Sequence, residues 1–320
     1  MSSATRRVRV KAFAKINLCL EVLGRRPDGF HDLRTVFQTI SLADDIDIEF
    51  TPGRRTEVIL ESSVDIPDNL VARAAQAVVD ATNPRGTVRL RLAKRIPIGG
   101  GLGGGSTDAA AVLLALPVLT GKAIGWEELL RIGSSLGSDV PFFLMGGTAL
   151  GLGRGTELYP LSITKRTQAL LVAPGIHVST PAAFEALERP LTWDGLSPKI
   201  NTSQRVALAI GGDQGTGKWS EFCSNDFEAV VFRQHPQLGA IKKKLKRLGA
   251  RPALMTGSGS AVFGVFRNSE DRKRARSAFR DEIVIPITFL SRARYFAAWW
   301  KQLREHSLTH QWPPQSRHSQ

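Results

Sequence analysis

A dense run of glycines in the first half of the chain most restricts how this protein can fold. Residues 97–109 read Pro-Ile-Gly-Gly-Gly-Leu-Gly-Gly-Gly-Ser-Thr-Asp-Ala, and six of the seven residues from Gly99 to Gly105 are glycine. Glycine loses more backbone entropy on folding than any other residue, so we expect this segment to meet a need for bare main chain.

The flanks of this run place it between a strand and a helix. Thr87–Lys94 alternates apolar and polar residues, which predicts a strand, and the apolar run Asp108–Leu116 predicts a helix that Pro117 kinks or ends. Bare N–H groups at the positive end of a helix bind anions, and the hydroxyls of Ser106 and Thr107 add donors. The order of strand, glycine loop and helix start therefore predicts a phosphate site.

Three other interpretations of the glycine run are weaker. A flexible linker is disfavoured, because the run lies between a buried strand and a buried helix. A Walker A loop requires Gly-Lys-Ser/Thr at its end, and no lysine follows here. A dinucleotide fingerprint requires an acidic residue about 20 positions on, and none is suitably placed.

Composition and charge narrow the class of protein. With 320 residues we expect two domains, and with no apolar run of membrane-spanning length and no signal segment we expect a cytoplasmic protein. Cys19 and Cys223 lack metal-site spacing, which predicts reduced thiols. A net charge of +14 fits nucleic acids or anionic small molecules. No aromatic residues interleave with the basic run at 242–247, which disfavours nucleic acid.

The pattern Pro-x-x-x-Gly-Leu-Gly-x-x-Ser at 97–106 resembles the ATP loop of the GHMP kinase superfamily, and the resemblance extends over about residues 8–295. It implies an α+β fold of two domains. The first (1–160) is ribosomal-S5-domain-2-like, and the second (161–295) is ferredoxin-like. The predicted strand–helix–strand–strand–helix–strand order after residue 168 also favours the ferredoxin-like layer. Residues 296–320 are expected to form a basic, partly disordered tail.

The resemblance implies which residues bind ATP. Asn69 is the adenine-side contact, and Lys94 is a second nucleotide contact, although an ordinary exposed lysine is an equal alternative. Gly257, Ser258 and Gly259 resemble a third motif whose backbone lies against the glycine loop and the phosphates; a simple hairpin turn is the alternative. The loop itself contributes Pro97, Ile98, Gly99, Gly100, Gly101, Leu102, Gly103, Gly104, Gly105, Ser106 and Thr107.

Two further motifs imply the catalytic residues. Ala-Lys-Ile-Asn-Leu at 14–18 resembles the N-terminal motif and assigns Lys15 to catalysis and Asn17 to the substrate. Gly-Ser-Asp-Val-Pro at 137–141 assigns Asp139 as the second catalytic residue, with a helix N-cap as the alternative. Mg²⁺ is expected with ATP, but no metal ligand is predicted. Separate strands are expected at 36–40 and 45–50. The aspartates at 44, 45 and 47 could suggest a metal cluster, but their alternation with Ile46 and Ile48 favours a solvated strand face.

The segment Arg-Pro-Asp-Gly-Phe-His at 26–31 resembles the branch of the superfamily whose alcohol substrate carries a diphosphocytidyl group, CDP-methylerythritol. There Phe30 and His31 grip the cytosine by stacking and an edge hydrogen bond. Phe30 keeps the stacking face of the more usual tyrosine and lacks its hydroxyl. Thr180, Pro181 and Phe184 complete the substrate side, with Phe184 expected to sandwich the base against Phe30.

Two other functions stay open at this point. The chain could be another small-alcohol kinase, such as a homoserine or mevalonate kinase, for which Phe30 and His31 would only pack. More distantly, it could be a basic, non-enzymatic nucleic-acid-binding protein, which intact Lys15 and Asp139 disfavour. We expect ATP and a small molecule as partners, no nucleic acid, no membrane, and a monomer or weak homodimer.

Overall fold

The computed structural model describes residues 4–162, 167–187, 205–207, 218–308 and 311–318. The first unit has four helices, α1 (Leu70–Thr82), α2 (Gly104–Thr120), α3 (Trp126–Leu136) and α4 (Val140–Met145). Its strands are β1 (Arg6–Arg25), β2 (His31–Pro52), β3 (Glu57–Ser62), β4 (Gly86–Ala93), β5 (Thr148–Gly153) and β6 (Glu157–Leu161).

The second unit follows at residue 168. Its strands are β7 (Gln168–Ala173), β8 (Ala253–Met255), β9 (Val262–Phe266) and β10 (Ile283–Thr288). Its helices are α5 (Thr180–Glu185), a 3₁₀ helix (Lys218–Phe222), α6 (Phe227–Gln234), α7 (Pro236–Arg247) and α8 (Ser269–Ser277), and a last helix, α9 (Arg292–Leu303), follows β10.

The long strand β2 organises the six-stranded sheet. β1 pairs along one edge of β2, while β5 and β4 pair in turn along its other edge, all antiparallel. The sequence predicted two strands here, and this is wrong, because Ala43 and Asp44 continue the pairing with Phe13 and Ala12 of β1. Lys15 lies just after an irregularity in that pairing, where the register shifts between Phe13 and Lys15.

Helix α2 fills the first unit. It begins at Gly104, so the last two glycines of the run form its first turn, and it continues through Pro117 to Thr120. The predicted start at Asp108 is therefore wrong, and of the two effects predicted for Pro117, a kink or an end of the helix, the end is wrong. From Thr107 to Thr120 every residue of α2 is buried, because the sheet and the other helices enclose it.

The second sheet has the strand order β10–β7–β9–β8 with antiparallel neighbours. This order, with helices between the strands, is the ferredoxin-like arrangement that the sequence predicted. A shared hydrophobic core joins the two sheets: Ile16 and Leu18 of β1 pack with Leu171 of β7, Phe263 of β9 and Phe289. The glycine loop and the first strand therefore meet the second unit directly.

The C-terminal segment packs on the first unit. Tyr295, Trp299 and Leu303 of α9 are buried in its core, and the Ser316 hydroxyl donates to the carbonyl of Val118 at 2.6 Å. The expectation for 296–320 is a partly disordered tail, whereas its described part is held by such contacts; the domain limits themselves stay a prediction. No helix in the described parts of the chain is long and apolar enough to cross a membrane.

Candidate active site

The glycine loop takes backbone conformations that other residues rarely adopt. Gly99, Gly101 and Gly103 have φ of 70°, 72° and 69°, and Gly103 is the N-cap residue of α2. A β-carbon on Gly101 would lie 2.2 Å from the carbonyl oxygen of Thr256, so only glycine fits there. The loop is thus shaped both by its own turn and by the chain packed against it.

The segment that packs against the glycine loop contains the third motif, Gly257–Gly259. The amides of Ser260 and Ala261 donate to the carbonyls of Gly99 and Gly100 at 3.2 and 3.3 Å. Gly257 has φ of 57°. A β-carbon on Gly257 would lie only 3.0 Å from the α-carbon of Gly101, so the two glycines pack closely. The two glycine segments pack backbone to backbone, and the predicted role of the third motif beside the phosphates stays a prediction.

Lys15 and Asp139 meet beside this loop. The Lys15 ammonium lies 3.3 Å from the Asp139 carboxylate, and the two residues come from different elements. Lys15 is buried, with 4% of its surface exposed. Asp139 is at the start of α4, but its side chain makes no capping hydrogen bond. The carboxylate is therefore turned to the lysine rather than to the helix, which the N-cap alternative does not explain.

Asn17 holds Lys15 and the third motif together. Its side-chain oxygen accepts from the Lys15 ammonium at 2.8 Å and from the Gly257 amide at 3.1 Å, and its nitrogen donates to the Thr35 hydroxyl at 2.7 Å. The residue is 2% exposed. These bonds give Asn17 an orienting role in the structure, and its predicted contact with substrate stays a prediction.

Lys94 is buried beside two aspartates, and its predicted role as a nucleotide contact stays a prediction. Its side chain is 6% exposed, and its ammonium bonds Asp44 at 2.5 Å and Asp108 at 2.7 Å beneath Gly104, the first residue of α2. An exposed lysine is therefore wrong. Burial raises the pKa of Asp108 to about 7, against the pull of Lys94, and the Asp44 charge adds to this rise. Asp44, expected on a solvated face, is fully buried.

Two other predicted ATP-binding residues, Asn69 and Thr107, form hydrogen bonds within the protein. The Asn69 side chain accepts from the Val71 amide at 3.0 Å and caps α1. Thr107 is buried, with its hydroxyl donated to the carbonyl of Phe13 at 2.8 Å, whereas Ser106 reaches the cavity described next. Ile98 is 64% exposed on the loop. The roles of Asn69 and Thr107 towards a nucleotide stay predictions.

A cavity of about 770 Å³ brings most of the predicted residues together. Its walls include both the predicted catalytic pair and the predicted substrate-side residues, which lie in four separate stretches of the chain. The predicted residues that line it are Lys15, Asn17, Phe30, His31, Gly101, Gly103, Ser106, Asp139, Thr180, Pro181, Phe184, Gly257 and Ser258. Residues that are far apart in sequence therefore form one concave site.

The aromatic side chains of the cavity are paired differently from the prediction. His31 stacks on Phe184 with ring centroids 4.5 Å apart and an interplanar angle of 19°. The Arg154 guanidinium lies 3.4 Å from the centroid of the Phe30 ring, and Phe30 is 47% exposed. Since one face of Phe30 lies against Arg154 and one face of Phe184 lies against His31, the predicted sandwich between Phe30 and Phe184 is not preformed. Burial, with Arg25 nearby, lowers the pKa of His31 and favours its neutral form.

Sequence reasoning did not single out two cations of the cavity, Arg25 and Arg154. Arg25 ends β1, and Arg154 lies in the turn after β5, in the stretch Gly-Arg-Gly. The Nε atom of Arg154 is buried without a hydrogen-bond partner. An arginine between two glycines, close to the end of the first domain, was the only signal in the sequence.

The described residues contain no group of three or more His, Cys, Asp or Glu side chains arranged for a metal ion. Such a group is not required for Mg²⁺ with a nucleotide, which is commonly held by one or two carboxylates together with phosphate oxygens and water. Asp139 and the Ser106 hydroxyl both line the cavity and fit that more limited set.

Comparison with known proteins gives the class of protein that the sequence motifs resembled. The family models "GHMP kinases N terminal domain" and "GHMP kinases C terminal" match residues 69–147 and 210–284. A crystal structure of homoserine kinase from Cytophaga hutchinsonii has a TM-score of 0.68 at 16% identity, covering 91% of this chain and 96% of its own, which supports the fold alone. The chain belongs to the GHMP kinases.

Closer relatives specify the family. A Solibacter usitatus protein named 4-diphosphocytidyl-2-C-methyl-D-erythritol kinase is 50% identical over 318 residues, 99% of both chains. A Geobacter protein of the same name is 37% identical over 275 residues, 85% of this chain and 93% of its own. A crystal structure of 4-(cytidine 5'-diphospho)-2C-methyl-D-erythritol kinase is 36% identical with a TM-score of 0.73, covering 88% and 98%. Within the GHMP kinases, the chain belongs to the 4-diphosphocytidyl-2-C-methyl-D-erythritol kinase family.

Proposed function

We propose that this protein transfers the γ-phosphoryl group of ATP to the C2 hydroxyl of CDP-methylerythritol, which yields the 2-phosphate and ADP in the non-mevalonate route to isoprenoids. The observation that carries the proposal is the Lys15–Asp139 pair at 3.3 Å, in the same cavity as Phe30, His31 and the glycine loop. The names of the relatives that share this chain's whole length support the same substrate.

ATP binds with its phosphates at the glycine loop and the start of α2. The bare amides and the positive end of α2 attract phosphate oxygens, and the Ser106 hydroxyl adds a donor at the cavity wall. The third motif supports the loop from behind through Gly257 and Ser260. When bound, Mg²⁺ would neutralise the phosphate charge, and the Ser106 hydroxyl is the protein group that would hold it, together with phosphate oxygens and water.

The chemical step places the substrate hydroxyl beside Asp139. The hydroxyl oxygen forms a bond to the γ-phosphorus, the bond from that phosphorus to the β,γ-bridging oxygen breaks, and the proton passes to the Asp139 carboxylate. Phosphoryl transfer has a loose transition state, so position and charge neutralisation matter more than base strength. Lys15 orients the carboxylate and faces the charge that develops on the transferred group.

The cytidine diphosphate lies at the aromatic side of the cavity. A base stacks on the exposed face of Phe30 or against the His31–Phe184 pair once the Arg154 guanidinium moves from Phe30. Arg154 and Arg25 then supply cations for the diphosphate, since guanidinium groups bind phosphate through paired hydrogen bonds.

Substitution of Asp139 tests this function directly. We expect Asp139→Asn to lower turnover with CDP-methylerythritol by more than about a hundredfold, because the amide accepts no proton, while ATP affinity is kept. Steady-state kinetics and titration with a non-hydrolysable ATP analogue measure the two effects. Asp47→Asn is the matched control, because Asp47 is an exposed carboxylate on β2 paired with Arg9. A near-normal rate for Asp139→Asn would remove the catalytic assignment.

Another small-alcohol substrate is the second candidate, because homoserine and mevalonate kinases share the fold. Comparison of CDP-methylerythritol, homoserine and mevalonate as phosphoryl acceptors separates the candidates. The arginines and aromatic rings of the cavity favour the cytidine compound, and faster phosphorylation of either other alcohol would overturn the proposal.

We also propose that the enzyme works in the cytoplasm as a monomer or weak homodimer and without nucleic acid. Cys19 and Cys223 both carry thiols rather than a disulfide, which fits a reducing compartment. The positive charge is explained by two polyanionic substrates.

A further inference from the structure

Helix α4 carries Asp139 at its start and has only six residues, so its last carbonyl groups need partners outside the helix. The Phe142 carbonyl accepts from the Gly146 amide at 2.8 Å. The next two accept from side chains: Phe143 from the Tyr295 hydroxyl at 2.5 Å, and Leu144 from the Trp312 indole at 2.9 Å. Both donors come from the C-terminal segment.

A third side chain of that segment extends the contact. Arg292 donates to the carbonyls of Gly146 and Thr148 at 3.3 and 2.8 Å, directly after α4. We call Arg292, Tyr295 and Trp312 together the C-terminal clasp. All three lie beyond residue 284, where the match to the GHMP C-terminal family model ends.

The glycine pair after α4 is shaped to receive the clasp. A β-carbon on Gly146 would lie 2.3 Å from the Tyr295 ring, and one on Gly147 would lie 2.8 Å from Arg292. Both glycines also have positive φ. Neither position accepts a side chain while α9 is packed there, so the turn and the clasp form one fitted contact.

The other side of α4 touches the catalytic groups. The Phe143 ring lies under Gly103, where a β-carbon would be 2.7 Å from the ring and 3.3 Å from the Cε atom of Lys15. Phe142 packs on Phe37, and the Lys15 ammonium lies 5.5 Å from the centre of the Phe37 ring. A shift of α4 would therefore move Asp139 and loosen the packing around Lys15.

We propose that the clasp is a positioning device for Asp139: it fixes the C-terminal end of α4 and thereby sets the distance between the Asp139 carboxylate and Lys15. Trp312 is itself held by stacking on Phe296, with ring centroids 4.0 Å apart, and burial raises the pKa of Tyr295, which keeps its hydroxyl a donor. The inference rests on the proposed catalytic role of Asp139.

The test uses Tyr295→Phe and Trp312→Phe, alone and combined, in the full-length enzyme. Each keeps an aromatic ring and removes one donor to α4. Since displacements of catalytic groups by about an ångström cost up to a hundredfold in rate, we expect the combined variant to lower kcat by about tenfold or more, with the KM for ATP within about twofold. If the combined variant does not fold, Trp312→Phe alone carries the test, with an expected loss of about threefold.

A double-mutant cycle with Asp139→Asn separates positioning from general damage. If the clasp acts through the carboxylate, its substitutions change the residual rate of Asp139→Asn by less than about twofold. An equal loss in both backgrounds would overturn the inference, and so would an unchanged kcat in a folded clasp variant. A near-normal rate for Asp139→Asn alone would instead remove the proposed catalytic role of Asp139 and leave the proposed reaction in place.

Ser316→Ala is the matched control. Its hydroxyl also ties the C-terminal segment to the first unit, but through the Val118 carbonyl of α2 and not through α4. We expect it to lower the melting temperature as the clasp variants do while kcat stays within about twofold, because it also removes one hydrogen bond from the C-terminal segment. A tenfold loss of kcat in this control would show that any loosening of the segment slows the enzyme, which contradicts the clasp.

Discussion

The Lys15 ammonium has two oxygen partners of different kinds. The shorter contact, 2.8 Å, is to the neutral amide of Asn17, and the longer, 3.3 Å, is to the Asp139 carboxylate. A neutral acceptor holds the ammonium in place and leaves its charge for the phosphate. Because Asn17 is fixed by Thr35 and Gly257, the lysine is ordered before substrates bind, which is the condition for effective electrostatic stabilisation.

Arg154 is the residue for which we expect the clearest effect on substrate affinity alone. Arg154→Leu should raise the KM for CDP-methylerythritol about tenfold and leave the KM for ATP unchanged, because a charge-assisted bond to the diphosphate is worth about 1.5–3 kcal/mol. Steady-state kinetics with each substrate varied in turn measures this.

The control for this prediction is Arg54→Leu, which removes an exposed arginine that is not part of the cavity wall. Its kinetics should match the unsubstituted enzyme. An unchanged KM for the cytidine substrate in Arg154→Leu would show that the guanidinium only covers Phe30.

At the scale of elements, the glycine loop, the third motif and α2 act as one unit. The loop crosses the third motif backbone to backbone, and its last glycines form the first turn of the helix. Sequence predicted the strand, the loop and the helix from local pattern. It misplaced the helix start by four residues, because glycines are poor helix formers and only the packing around 104–107 holds them in the helix.

Gly101→Ala tests whether loop and third motif must be this close. The new methyl group would meet the Thr256 carbonyl at 2.2 Å and sit at positive φ, so we expect the free energy of unfolding to fall by about 1–3 kcal/mol and ATP affinity to fall at least about tenfold. Urea denaturation and nucleotide titration give the two values.

Gly105→Ala is the matched substitution in the same run. Position 105 is helical, and its β-carbon would lie 3.5 Å from Leu70, an ordinary contact. Alanine should leave the free energy of unfolding unchanged or raise it by up to about 1 kcal/mol. If both alanines destabilise the protein equally, the close contact with Thr256 is not what requires glycine at 101.

At the scale of the whole molecule, the site lies on the seam between two sheets. β1 contributes Lys15 and Asn17 to the cavity and Ile16 and Leu18 to the core shared with the second sheet. Alternate residues of one strand thus line the cavity and join the two sheets. Below the loop, the Lys94 ammonium bonds the buried side chains of Asp44 and Asp108. Because the pKa of Asp108 is shifted in the folded protein, the stability of the whole protein depends on pH.

The pH dependence follows from Asp108, whose pKa is 3.8 in a free side chain and about 7 in the folded protein. Between these values the folded protein holds a proton that the unfolded chain has released. Its contribution to stability is therefore full below pH 4 and is lost as the pH rises to 7 and above. From pH 5.5 to 8, we expect the free energy of unfolding to fall relative to Asp108→Asn by on the order of 1 kcal/mol.

Urea denaturation of both proteins at the two pH values measures this difference, and other titrating groups cancel in the comparison. Asp47→Asn is the control, because Arg9 lowers the pKa of Asp47 and its contribution changes only in acid. A parallel pH dependence of Asp108→Asn and the unsubstituted protein would contradict the raised pKa.

The sequence by itself determined the glycine loop, the family, the ferredoxin-like order and thirteen of the residues that line the cavity. These follow from local features, namely glycine density, apolar alternation and short motifs. Only the tertiary structure decided the burial of Asp44 and Lys94, the pairing of His31 with Phe184, the place of Arg154 and the clasp on α4. Each depends on contacts between segments distant along the chain, and local pattern carries no information about which distant side chain supplies a partner or covers a face.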